Sequence, residues 1–471
     1  MQQNCYWHSQ PLKNRTGSEI FATLFLSSLD VTIATLLESP YPNNNNTQAR
    51  YSICAGAPRV CNGKLQMWTP QLGEILPFLR ELLQQGREQV NIVPESLPFT
   101  GGWLGWLGYD LAWEIEQLPR NKDDSLPFPV AYWYEPESFA VLDHVEQTLW
   151  LAATEPSILE NMKSKVEETV FVQEINNADK ISQKNLVHKV LSTQSSQDEY
   201  ETAVRKAKKY IQAGDIFQAN LSLRFTTEIN ASGWDIYQAL QKINPSPFAC
   251  YYKTPWGEVV SCSPERLVEG KICGYAPYRV STRPIAGTRR RGSTPEHDEL
   301  LAVELLNNTK ELAEHIMLVD LERNDLGRVC EWGTVKVDEL LTIERYSHVM
   351  HLVSNVVGNL KSDLNAVDLV GAVFPGGTIT GCPKIRCMEI IEELEPVRRS
   401  LFYGSVGYID WRGNLDLNIL IRTLLLTPNG NNNTVWGQVG AGIVADSDPE
   451  QEWYESHSKA EAQLTALRKV L

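Results

Sequence analysis

Glu311, Glu314 and His315 stand at i, i+3 and i+4 in the stretch Thr309–Val329, TKELAEHIMLVDLERNDLGRV. On an α-helix these positions share one side. Glu452, Glu455 and Lys459 repeat the Glu-x-x-Glu spacing near the C-terminus. Two carboxylates one turn apart on each of two helices suit a hard divalent cation. Magnesium takes oxygen ligands, and often only one or two carboxylates besides water and substrate oxygens. Two such helices facing each other would clamp one ion. The same residues also suit a pair of solvated acidic helix faces, because structural charge clusters are common. Two further groups stand out. Glu265 lies at a Pro turn in Val259–Leu267 (VVSCSPERL), and Arg422 interrupts the apolar run Leu415–Leu425. A buried arginine needs an anion, from the protein or from a ligand.

The elements that must position these groups are legible in outline. Leu312, Ile316 and Val319 give the first acidic helix an apolar stripe, and Asn324-Asp325-Leu326-Gly327 forms a turn cluster that should end it. Asp448-Pro449-Glu450-Gln451 opens the last helix with a near capping box. Ile216–Phe225 (IFQANLSLRF) alternates strictly, so Gln218, Asn220, Ser222 and Arg224 share the face opposite Phe217, Ala219, Leu221, Leu223 and Phe225. That polar row faces either solvent or a wet cavity. Arg283–Arg291 reads as a loop. Phe374–Glu395 reads as a glycine-rich loop feeding a helix, with Ile385, Met388, Ile391 and Leu394 facing inward. Free amides at such a helix start favour anions. Pro98–Leu111 (PFTGGWLGWLGYDL) lacks the strand–glycine–helix context and the Lys of a phosphate cradle, and reads as a tightly packed sheet edge. Gln71–Gln84 has helical spacing, with a kink expected at Pro77.

Composition narrows the classes. Forty-three basic against 58 acidic residues leave a net charge of −15 over 471 residues. Such a surface argues against nucleic acid and anionic membranes as partners. No run approaches the roughly 20 apolar residues of a membrane span, and the N-terminus lacks a signal-peptide pattern, so a cytoplasmic protein is expected. Nine cysteines without a C-x-x-C pair argue against a disulfide framework and against zinc. The polar stretch after Glu155 suggests an N-terminal region 1–155, a linker 156–197 and a catalytic region 198–471.

From Asp198 onward the chain resembles the chorismate-using enzymes of the anthranilate synthase component I and aminodeoxychorismate synthase component I family. The resemblance is carried by GDIFQANLSLRF, SPERL, RPIAGTRRRG, AEHIMLVDLERNDLGRV, SHVMHLVSNVVG, FPGGTITGCPKIRCMEIIEELEP, YGSVGYID, NILIRT and VGAGIVADSDPEQEWYES. LLES (Leu36–Ser39) and GGWLGWLGYD extend it weakly into the N-terminal half. It implies an α+β fold in which two large antiparallel sheets pack as a sandwich with flanking helices. The N-terminal segment would contribute strands to that sandwich. It also implies Mg²⁺ on Glu314 and Glu455, with Glu311 and Glu452 near it. The substrate would be held by Ala286, Gly287, Thr378, Tyr408, Arg422, Gly440, Gly442 and Lys459, with Thr288 and His351 near the reacting ring. Glu265 matches the acid that protonates the departing C4 hydroxyl.

Gln218 separates the branches. The related enzymes that add water carry a basic Lys there, and an amide cannot deprotonate water, so the resemblance points to ammonia as nucleophile. Chorismate and a separate glutamine amidotransferase subunit are then the expected partners. FPGGTITGCPK looks like the aminodeoxychorismate branch, where the anthranilate branch typically reads FPAGT-L/V-SGAPK. Ala286 in PIAGT speaks for the other branch, because many aminodeoxychorismate synthases read PIKGT. The expected product is 4-amino-4-deoxychorismate, for 4-aminobenzoate and folate, with anthranilate for tryptophan as the alternative. A non-catalytic paralogue binding chorismate or tryptophan is the reading from another class. NPSPFA (Asn244–Ala249) departs from the family's NPSPYM beside the tryptophan-binding LLES element, which argues against feedback inhibition.

Overall fold

A computed structural model describes residues 5–27, 31–39, 50–87, 96–170, 192–272, 277–346 and 349–470. Among the described residues, twelve strands join one antiparallel sheet and ten another. The fold is α+β, as expected. Both sheets draw on both halves of the chain. In the first, the N-terminal strand Ala34–Glu38 pairs with Phe248–Thr254; in the second, Gly102–Leu107 pairs with Ser405–Asp410. The layers meet in an aromatic core. Tyr252 of the first sheet donates its hydroxyl to the Gly105 and Gly407 carbonyls of the second, and packs edge-on against Trp106. Each large aromatic ring buried here removes about 150–250 Å² from water, worth roughly 4–6 kcal/mol gross.

The glycine-rich aromatic run is not an edge. Gly102–Leu107 lies inside its sheet, between Ser405–Asp410 and Ala131–Tyr134. A Cβ at Gly105 would sit 2.0 Å from the Tyr132 carbonyl oxygen, so glycine is required by close approach of the backbone. Pro77 produces no kink: it falls in the first turn of the helix Ile75–Arg87, where its missing N–H has no helical partner to lose. Of the stretch 156–197, the helix Pro156–Val170 and the short strand Ser192–Thr193 are described; residues 171–191 lie outside the described residues.

Two crossings between the layers set the site. Gly257–Ser263 belongs to the first sheet and Arg266–Lys271 to the second, so the chain changes layer at Pro264-Glu265. The run Leu415–Leu425, expected as one strand, is two: Leu415–Asn418 in the second sheet and Thr423–Asn429 in the first, with Arg422 between them at φ +50°. The crossings lie side by side. The Ile419 amide donates to the Glu265 carbonyl at 3.0 Å, and the Cys262 amide to the Arg422 carbonyl at 3.3 Å. An acid and a guanidinium thereby come together where the sheets part.

Candidate active site

Glu265 is 5% exposed. Burial pushes its carboxyl up to about 8, Glu322 adds to the rise, and Thr378, the Ile285 backbone and Arg422 oppose it. The group is therefore a neutral acid at pH 7, able to donate a proton. Burial lowers the pKa of Arg422, and its nearest fixed partner is the Asn244 side-chain oxygen at 3.3 Å. A guanidinium so weakly partnered is free to take a carboxylate from a ligand.

Arg283–Arg291, expected as a loop, contains the strand Ile285–Arg290 on the edge of the second sheet. Its register with Val349–Asn359 breaks at Gly287, which has φ +81°. This bulge sets Thr288 opposite His351, with Oγ1 and Nδ1 2.8 Å apart. Burial, reinforced by Arg422, pushes the imidazole down to about 3, so His351 is neutral near pH 7. Ala286 is buried just before the bulge.

The helix Thr309–Gly327 runs through the expected turn cluster and divides the acidic trio. His315 is fully buried and its Nε2 lies 2.7 Å from the Ser354 hydroxyl, turned away from the cleft. Glu311 accepts from Arg289 at 2.6 Å, and its Oε2 is buried without a partner. Glu314 accepts from the Gln218 amide at 3.0 Å. Burial raises the Glu314 pKa, and Glu455 of the helix Pro449–Lys469 raises it further. Burial likewise raises Glu452, which is 7% exposed, has an unpartnered Oε2 and also feels Glu455. Lys459 bridges Glu455 at 2.9 Å and donates to the Gly440 carbonyl at 3.0 Å. The two acidic helices thus face each other.

These carboxylates fit a magnesium ion. The donors are all oxygen, two of their buried oxygens lack partners, and burial plus mutual repulsion leaves negative charge that a cation would offset. Among the described residues no three acidic, imidazole or thiol groups converge closely enough to hold an ion alone. Water and substrate oxygens would complete the shell, as is usual for magnesium.

The polar row of the strand Gln218–Ile229 faces inward. Gln218, Ser222 and Arg224 are all buried. Ser222 donates to Glu395, and Arg224 donates to Gln438 and to the Arg398 carbonyl. Asn220 and Ser222 stand opposite Gly442 and Gly440. A Cβ at Gly442 would sit 2.4 Å from Gln218 Nε2, so glycine keeps this wall open. Thr378, in the turn Gly377–Ile379, adds a buried hydroxyl beside the Glu265 carboxyl.

Tyr408 does not join these groups. It lines a second cavity of about 960 Å³ with Arg266, Glu269 and Asp416. Tyr403, not Tyr408, stands beside Gly440. Its buried hydroxyl lies beside Ser222 and 2.8 Å from where a Gly440 Cβ would be. Tyr403 holds φ +63°, an uncommon backbone state for a bulky residue. The sequence signal was present, since YGSVGYID carries two tyrosines. Asn220, with an unpartnered buried Oδ1 beside the same glycine, was also missed as a site residue.

A family model described as chorismate binding enzyme matches residues 36–465. An anthranilate synthase component I-like protein of Synechocystis is 61% identical over 99% of this chain and 92% of its own length. Aminodeoxychorismate synthase component 1 of Bacillus subtilis is 45% identical over 78% of this chain and 77% of its own. The crystal structure of anthranilate synthase component I from Streptococcus pneumoniae superposes with a TM-score of 0.72 at 31% identity, covering 96% of this chain and 99% of that one.

Proposed function

This chain belongs to the chorismate binding enzyme family, and from that premise we propose that it aminates chorismate with ammonia to 4-amino-4-deoxychorismate. Gln218 carries the reading. Its amide sits against Glu314 at 3.0 Å, in the position where the water-adding relatives have a basic lysine. An amide cannot take a proton from water near neutral pH, so the nucleophile must already be an amine. The loop FPGGTITGCPK and the similarity to the Bacillus subtilis protein support C4 as the carbon that keeps the nitrogen.

In this reading Glu265 hands its proton to the C4 hydroxyl oxygen, which leaves as water while ammonia supplies the new C–N bond. Arg422, Lys459, Tyr403 and the backbone around Gly440 and Gly442 hold the carboxylates. Thr288 fixes the neutral ring of His351 beside the reacting carbons. Glu314 and Glu455, with Glu311 and Glu452 close by, would hold magnesium, which would supply positive charge against the substrate's carboxylates. The glutamine amidotransferase subunit that makes the ammonia is a second chain.

One observation favours anthranilate instead. Ala286 has no amine to occupy C2, so ammonia can attack there directly. The experiment is chromatography of the product from chorismate, ammonium and Mg²⁺, with and without the lyase that completes 4-aminobenzoate. The expected result is 4-amino-4-deoxychorismate with some C2-aminated leakage, which Ala286→Lys reduces. Anthranilate as the sole product overturns the reading, and unconsumed chorismate marks a non-catalytic binding protein.

A further inference from the structure

The group around this site with no role so far is charged, not apolar. Ile316 and Ile385, expected inward, are 47% and 45% exposed, and single apolar residues at a surface are ordinary. The arginine run Arg289-Arg290-Arg291 is different, because the fold treats its three members unequally. Arg290 is exposed. Arg291 turns to the helix Pro295–Asn307 and takes Asp298 at 2.7 and 3.0 Å. Arg289 turns to the same helix and takes Glu304 side-on, through Nε at 2.7 Å and Nη2 at 2.9 Å.

A side-on pair occupies two nitrogens and fixes the plane of the guanidinium. The third nitrogen, Nη1, is thereby set between two elements of the site. It donates to the Thr288 carbonyl at 2.8 Å and to Glu311 Oε1 at 2.6 Å. One group so ties the strand that presents Thr288 to His351 to the helix that presents the carboxylates. Glu311 is held through a single oxygen. Its Oε2 is buried without a partner and lies 2.4 Å from where a Gly287 Cβ would be, so glycine at the bulge makes room for it.

An isolated surface ion pair is worth little. The Arg289 and Glu311 side chains, however, are each only 21% exposed. The opposite acidic helix has the same arrangement. Lys459 takes Glu455 at 2.9 Å and donates to the Gly440 carbonyl of the strand Asn432–Ile443. On each side of the cleft, one cation ties a carboxylate to a strand carbonyl. Carboxylates that serve a metal are themselves hydrogen-bonded, and losing that support costs about 10- to 100-fold in affinity or activity.

We propose that Arg289 is a positioning residue of the magnesium site: anchored on Glu304, it holds Glu311 by one oxygen, leaves the other uncommitted for the cation, and fixes the carboxylate relative to Thr288. The inference rests on the magnesium reading above. Arg289→Lys keeps the positive charge but loses the fork, because one ammonium cannot hold Glu304 side-on and also reach Thr288 and Glu311. Mg²⁺ alone is titrated calorimetrically into the full-length, metal-free protein. Arg289→Lys should bind it about tenfold more weakly than wild type, with the metal-free melting temperature within about 2 °C. Glu304→Gln loosens the anchor from its exposed end and should weaken binding in the same direction. In a Glu311→Gln background, either substitution should change the affinity by less than about twofold, because the group they act through is gone. Wild-type affinity in Arg289→Lys, or a loss of equal size in both backgrounds, overturns the inference. A wild-type protein that takes up no Mg²⁺ overturns instead the magnesium reading on which it rests.

Discussion

Glu265→Gln tests the site through two opposite effects of one carboxyl. The wild-type group rises from an ordinary 4.5 to about 8, chiefly because the crossing between the sheets buries it. A raised carboxyl pKa means that the folded chain holds this proton while the unfolded chain has lost it. Its contribution to stability is complete below 4.5, declines as pH rises through the interval, and is lost above about 8. At about 1.4 kcal/mol per pH unit, a gap of about 3.5 units amounts to at most about 5 kcal/mol. Glutamine keeps the shape and never ionises. The variant should therefore melt at a higher temperature than wild type at pH 8–9, with the difference vanishing near pH 4.5. Turnover should move the other way. Without a proton to give the C4 hydroxyl, kcat should fall by about 10² to 10⁴, with chorismate still bound. Wild-type kcat, expressed per unit of free ammonia, should also fall as pH rises through about 8. Thermal melts across this pH range and initial rates of chorismate loss read both effects. A kcat within about threefold of wild type would assign the acid to another residue. A pH-independent difference in melting temperature would show that the carboxyl is not held protonated.

Other perturbations separate the remaining roles. Glu314→Gln and Glu455→Gln should each abolish most turnover while the fold persists, and EDTA should silence the wild type; full activity in either variant, or indifference to EDTA, removes the metal assignment. Tyr403→Phe deletes a buried hydroxyl whose protein neighbour is Ser222, so stability should fall by no more than about 0.5–1.5 kcal/mol while KM for chorismate rises. A hydrogen bond to a charged group, worth about 1.5–3 kcal/mol, corresponds to about 10- to 100-fold in that KM. Tyr408→Phe, in the second cavity, should leave kcat/KM unchanged, and the reverse outcome for the two tyrosines would restore Tyr408 to the site.

The chemistry-bearing residue types were legible from their spacing, whereas their surroundings depended on layers the sequence does not mark. Leu415–Leu425 reads as one apolar run because both of its strands are buried; nothing in the pattern signals that the chain changes sheet at Arg422. Arg283–Arg291 looked like a loop because four arginines, a proline and a glycine make a poor strand. Yet Ile285–Arg290 lies on a sheet edge, where charged side chains are tolerated and discourage further pairing. Alternation put Gln218 and Arg224 on a common face, but a period of two cannot tell solvent from a second polar layer. Here Glu395, Arg398 and Gln438 provide that layer. The same limit explains the tyrosines. Tyr403 precedes the strand Ser405–Asp410 in a left-handed turn and Tyr408 stands within it, so no strand periodicity relates them. Helical spacing, for its part, grouped His315 with Glu311 and Glu314 because i+3 and i+4 both lie within about 60° of i around the axis. They lie on opposite sides of it, so Glu314 and His315 are about 100° apart, and that angle decides the chemistry. It carries His315 over the rim to Ser354 and leaves Glu314 in the cleft against Gln218. A helix at such a boundary sorts its own side chains into core and site, and only the packed neighbour fixes where the line falls.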